Sequence, residues 1–157
     1  MPTEQQTLAE RLRAVPAEFQ AAVISLDDRA LRHRPGDGEW SAIEVLGHII
    51  DKMNAWSSRV ERIAAEPRPV LLSYDQDAYV RAFKYQEQPL QDMLARLTQA
   101  CERFANIVER LPDDALDRPG VHQESGLITL RYCITAPLDS LPDHLAQLRA
   151  AAQPFAE

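Results

Sequence analysis

The side chains best suited to chemistry in this chain are two histidines, His48 and His144, each inside a stretch of helical periodicity. Neutral imidazole is the commonest metal ligand, and two of them brought together across helices would begin a site for a divalent ion. Catalytic zinc ordinarily takes three protein ligands, so a further donor is needed. Asp51 lies one turn along from His48, roughly 60° round the helix, and is the candidate third ligand. Glu44 is nearer in angle but belongs to a Ser-x-x-Glu capping box with Ser41. Around His144, Ser140 stands four residues before and Gln147 three after, on one helix face. Gln147, Ser140 and Glu44 are thus pocket residues around the histidines. The other histidines, His33 and His122, fall in polar, loop-like contexts and read as solvated surface residues. Without a metal, His48 or His144 would instead serve as a general base. There is no Gly-rich phosphate loop, no His-Glu-x-x-His and no Gly-x-Ser-x-Gly elbow, so no nucleotide cofactor is expected. A site here has to be assembled across helices.

Those residues need helices to hold them, and the chain reads as helix throughout. Leu8, Leu12, Val15, Phe19, Ala22 or Val23, and Leu26 repeat with 4-3-4-3 spacing, with Thr3 and Gln6 as a possible cap and Pro16 inside the seam. A second helix starts at the Ser41 cap, where Trp40 can close on Val45 as a hydrophobic staple, and stops near Glu66-Pro67-Arg68-Pro69. Its apolar arc is centred on Leu46, Ile50 and Met53, and His48 falls roughly 60° beyond the edge of it, as a boundary residue. A shorter helix is expected around Asp75 to Tyr85. The cleanest seam follows Pro89: Leu90, Leu94, Leu97, Cys101, Phe104, Val108 and Leu111. The last helical region runs from about Thr129 to Ala152, interrupted by Pro137 and Pro142, with Ser140 reading as a helix cap. Val70-Leu71-Leu72 and Leu127-Ile128-Thr129 are too short to read as more than extended loop. The expected fold is all-α, a four-helix bundle with extra short helical segments, one domain over 1–157.

Composition narrows the function. With 17 Lys plus Arg against 24 Asp plus Glu, the net charge is -7 and no basic run is present, which argues against nucleic acid and anionic membrane as partners. No apolar run approaches a membrane span, and the polar N-terminus does not resemble a signal peptide. Cys101 and Cys133 read as reduced, buried thiols of a cytoplasmic protein.

The chain resembles the DinB-like (DinB/YfiT) proteins over nearly its whole length. Three segments carry the likeness: Gly38-Glu39-Trp40-Ser41 through His48; Tyr74-Asp75-Gln76-Asp77 leading to the long helix; and Leu130-Arg131 followed by His144-Leu145-Ala146-Gln147-Leu148. The resemblance implies an up-and-down four-helix bundle, often a homodimer. It also implies three histidines on a divalent metal, commonly zinc or nickel, and activities such as thiol S-transfer, thiol-dependent isomerisation or metal-dependent hydrolysis. His48 matches the first ligand and His144 the last. The remaining ligand, four residues before His144, is Ser140 here, and a hydroxyl is a poor substitute for imidazole on zinc. Two readings therefore stand side by side. In one, His48 and His144, completed by Asp51, keep a metal-dependent transferase or hydrolase site. In the other, the metal site is degenerate and the bundle is a metal-free small-molecule-binding or dimerising module.

Overall fold

The computed structural model describes residues 1–155. Four long helical arms form the bundle: α1 (Glu4–Val23), α3 (Ala42–Ala65), α5 (Leu90–Glu109) and the consecutive pair α6 (Leu130–Asp139) and α7 (Leu141–Ala152). Short helices α2 (Asp28–Arg32) and α4 (Gln76–Ala82) sit in the connections. The helix starts obey side-chain chemistry. Thr3 with Gln6 and Ser41 with Glu44 both close complete capping boxes, and Asp27, Asp75 and Thr129 each accept an amide at the head of α2, α4 and α6. Pro16 does not end α1, which runs through it. Pro89 is the residue before α5 rather than its first turn.

α1 lies along α5 rather than along α3, the next long helix in the chain, so α3 packs instead against α5, α6 and α7. Helices α2 and α4 and the Tyr85–Glu87 3-10 turn close over the rest of its N-terminal half. The consequence is unusual burial: every residue from Ala42 to Met53 is buried, polar ones included. A helix covered on all sides has no solvent face for a boundary residue. Leu12, Phe19, Met53, Met93 and Phe104 are among the side chains that fill the core between the arms. Cys101 and Cys133 are free thiols in that core, as expected, and burial pushes both up to about 12.

The two segments read as extended loop are strands. β1 (Val70–Leu71) pairs in parallel with β2 (Pro119–His122), Val70 opposite Val121, and β2 pairs antiparallel with β3 (Gly126–Thr129), Pro119 opposite Thr129. His122 is buried, not solvated: its Nδ1 accepts the amides of Glu124 and Ser125, at 3.1 Å each, and closes the β2–β3 turn, where Gly126 takes a φ of 76°. His33 is half-buried, edge-on to Phe155. No helix among the described residues is long and apolar enough to cross a membrane.

Candidate functional site

The structure brings His48 and His144 together. Their ring centroids are 4.8 Å apart at an interplanar angle of 64°, and the Trp40 ring centroid is also 4.8 Å from that of His48. His48 is 1% exposed, which corrects the boundary position its periodicity suggests. Both of its ring nitrogens are buried without a hydrogen-bond partner. Burial, reinforced by the neighbouring His144 and Lys52, pulls its pKa down to about 3, so the ring is neutral. His144 is lowered too, by burial and then by Lys52.

Lys52, one turn after His48 on α3, completes the cluster. Its side chain runs past the buried surface of α3 to place Nζ 2.6 Å from Ser140 Oγ and 3.3 Å from His144 Nε2. Ser140 Oγ in turn donates to the Pro137 carbonyl at 2.9 Å. Ser140 stands at the start of α7 but makes no side-chain capping bond, so its hydroxyl serves Lys52 and Pro137 rather than the helix end. With Nε2 of His144 accepting from Lys52, the ring proton lies on Nδ1 and faces Gln147 Oε1 at 3.4 Å. Lys52 is only 9% exposed and forms no ion pair among the described residues; burial lowers its pKa. An ammonium in such a place favours an anionic or strongly accepting partner. A cavity of about 420 Å³ lies at the edge of the cluster, lined by Trp40 and Gln147 together with Pro35, Gly38, Asp77 and Ala151.

Lys52 is the residue sequence reasoning missed. The available signal was its spacing: i+4 from His48, a position that shares a helix face with it. Lysine reads as solvated by default, and only the full burial of α3 turns it inward.

Glu44 and Asp51 point elsewhere. The Glu44 carboxylate is 3% exposed and takes a fork from Arg34, Nε to Oε1 at 2.8 Å and Nη2 to Oε2 at 2.9 Å, along with the Ser41 amide. Asp51 accepts the Tyr85 hydroxyl on Oδ1. Tyr85 can approach because α3 carries Gly47 there; a methyl at that position would overlap the Tyr85 ring.

A sequence model of the DinB superfamily matches residues 11–148. The chain belongs to that superfamily. Relatives are more distant in sequence than in shape. An Oceanobacillus iheyensis protein named as a putative metal-dependent hydrolase is 26% identical over 117 residues, 74% of this chain and 67% of that one. A Geobacillus thermodenitrificans protein bearing the same name is 25% identical over 108 residues, 68% of this chain and 60% of that one. The solved structure of YfiT from Bacillus subtilis, described as a probable metal-dependent hydrolase with an unusual four-helix bundle topology, matches with a TM-score of 0.86. That match has 22% identity and covers 99% of this chain and 93% of that one. The all-α bundle expected from the sequence is thereby shown, with the small sheet as an addition.

The residues present can be tested against the metal that a DinB-superfamily fold implies. The unpartnered nitrogens of His48 beside His144 suit an ion. The rest of the donor set does not: among the described residues no three His, Cys, Asp or Glu side chains converge, and Asp51 is not brought to the histidines. The third position holds the Ser140 hydroxyl with the Lys52 ammonium already on it. A fixed cation 3.3 Å from His144 Nε2 repels a second one. The set does not fit a three-ligand divalent site.

Proposed function

We propose that this DinB-superfamily chain is a metal-independent small-molecule-binding protein whose pocket uses Lys52, hydrogen-bonded to Ser140 and His144, where a metal ion would otherwise be held. The observation that carries the reading is the pair of Nζ distances, 2.6 Å to Ser140 Oγ and 3.3 Å to His144 Nε2. The ammonium supplies a single positive charge at that point without a carboxylate to neutralise it. A ligand entering past Trp40 and Gln147 would present a carboxylate or another anionic acceptor to Lys52, with Gln147 and His144 orienting it. Ser140, its own hydroxyl proton on the Pro137 carbonyl, holds the ammonium in place.

Metal analysis of untagged protein, purified without chelator, tests this. The expected result is less than about 0.1 equivalent of zinc, nickel, iron or manganese, with no rise in melting temperature on adding them. About one equivalent of bound metal, abolished by His48→Ala, would instead support the second reading, a metal-dependent transferase or hydrolase site. The observation favouring that alternative is the orphaned pair of nitrogens on His48.

A further inference from the structure

A second cavity, of about 410 Å³, opens beside Asp51. Its lining includes Asp51, Asn54, Tyr79, Phe83, Tyr85 and Arg96. Asp51 is 7% exposed; Oδ1 takes the Tyr85 hydroxyl, and Oδ2 is buried with no hydrogen-bond partner. A buried carboxylate oxygen left without a donor is costly, and such atoms call for an explanation. Arg96, an exposed residue of the same lining, has its guanidinium over the Tyr85 ring, 5.9 Å from the centroid, and forms no ion pair among the described residues. Asp51 and Arg96 thus share one cavity wall as opposite charges that do not pair with each other. The same lining carries the aromatic rings of Tyr79, Phe83 and Tyr85. Tyr79 and Phe83 meet edge to face at 5.4 Å, and both are exposed, at 40% and 49%.

The geometry points to a binding site for a small zwitterion of the α-amino-acid type, its ammonium on Asp51, its carboxylate on Arg96 and its apolar side chain against Tyr79 and Phe83. Each half of the ligand answers one unpaired group. An ammonium donates to the free carboxylate oxygen and is attracted by the faces of the Tyr rings. A carboxylate matches the planar fork of arginine in two parallel bonds. A ligand with only one of the two charges leaves the other wall group unanswered, so the site discriminates against plain amines and plain acids. The cavity volume lies within the usual range for small-ligand pockets, roughly 300–1,000 Å³. This site is separate from the histidine cluster and stands whether or not that cluster binds metal.

Isothermal titration of the full chain with L-phenylalanine, L-leucine, phenethylamine and 3-phenylpropionate tests the assignment. The expected result is saturable binding of both amino acids, with the amine and the acid each weaker by about tenfold or more. Asp51→Asn and Arg96→Gln should each weaken L-phenylalanine by a similar factor. Arg96 is a surface residue whose replacement leaves the core intact, so that variant decides the matter even if Asp51→Asn fails to fold. Equal binding of phenethylamine and L-phenylalanine, an unchanged affinity in Arg96→Gln, or no binding of either amino acid to folded protein at millimolar concentration would each overturn it. The last of these would mean that Arg96 simply closes on Asp51 in solution.

Discussion

Lys52 and Ser140, 88 residues apart in the chain, are joined by a 2.6 Å hydrogen bond that ties the middle of α3 to the junction of α6 and α7. That bond places a positive charge where a third metal ligand would have to enter. Restoring the ligand alone should therefore not restore the site. In Ser140→His the new imidazole meets the Lys52 ammonium; in Lys52→Ala/Ser140→His it meets His48 and His144 without it. The double variant should bind zinc at least about tenfold more tightly than the single one, a difference of ~1.4 kcal/mol. Adding His48→Ala should remove the gain. Calorimetric titration with zinc measures all three, and equal affinity in the single and double variants would show that Lys52 does not guard the position.

Gly47 gives a prediction whose sign runs against helix propensity. In an exposed helix, replacing glycine by alanine stabilises by about 1 kcal/mol. Here the added methyl would overlap the Tyr85 ring, and Tyr85 is fully buried. Overpacking of a close-packed core costs about 1–3 kcal/mol. Gly47→Ala should thus destabilise, lowering the urea midpoint, and should release the Tyr85 hydroxyl from Asp51. A midpoint equal to or above that of the parent chain would mean the Tyr85 turn moves freely.

What the sequence disclosed and what it hid have separate physical causes. Both capping boxes were readable because each involves four consecutive residues, and the seam of α5 was readable because one of its faces stays in water. Residue type made His48 and His144 candidates, but their pairing needed the family likeness for support, since nothing local links positions 96 residues apart. The strands were hidden because β2 opens with Pro119 and Gly120, poor strand residues, and because β1 has only two residues, whose partners Val121 and His122 are distant in sequence. His48 and Lys52 were misplaced by one assumption, that an amphipathic helix keeps a solvent face. α3 does not in its first half, and the charge it buries there is the feature that most alters the functional reading.

The Arg34–Glu44 fork fixes the start of α3, and with it the approach of Trp40 to His48. Burial acts to raise the Glu44 carboxyl, but the Arg34 guanidinium and the Ser41 amide outweigh it and hold the group below its ordinary value of 4.5. Because the folded pKa is depressed, this pair stabilises above pH 4.5, and the contribution is lost as pH falls through the folded value. Arg34→Gln leaves a buried carboxylate half-satisfied, at a cost of about 1–3 kcal/mol, toward the lower end because Arg34 is half exposed. In urea unfolding the deficit should be present at pH 7 and shrink as pH falls from 4.5 through the lowered Glu44 value. A deficit independent of pH would assign the loss to packing of the arginine stem.

The two buried groups flanking this helix turn titrate with opposite effects on stability. His48 is lowered from 6.5 to about 3 by burial, then by His144 and Lys52. The unfolded chain therefore binds the His48 proton first, and stability falls as pH drops from about 6.5 toward 3. Asp51 is raised from 3.8 to about 6 by burial, against the Tyr85 bond and Arg96. Here the folded chain binds the proton first, so stability is greatest below 3.8 and is lost as pH rises through about 6. Between pH 4 and 6 the two slopes oppose each other, each approaching ~1.4 kcal/mol per pH unit for one proton. Asp51→Asn should leave His48 unopposed, so that stability drops more steeply on acidification than in the parent chain. His48→Gln should do the reverse, flattening the drop or turning it into a gain. Urea unfolding of the three proteins at pH 6, 5 and 4 separates the profiles; if all three run parallel, neither group titrates in the window its burial dictates.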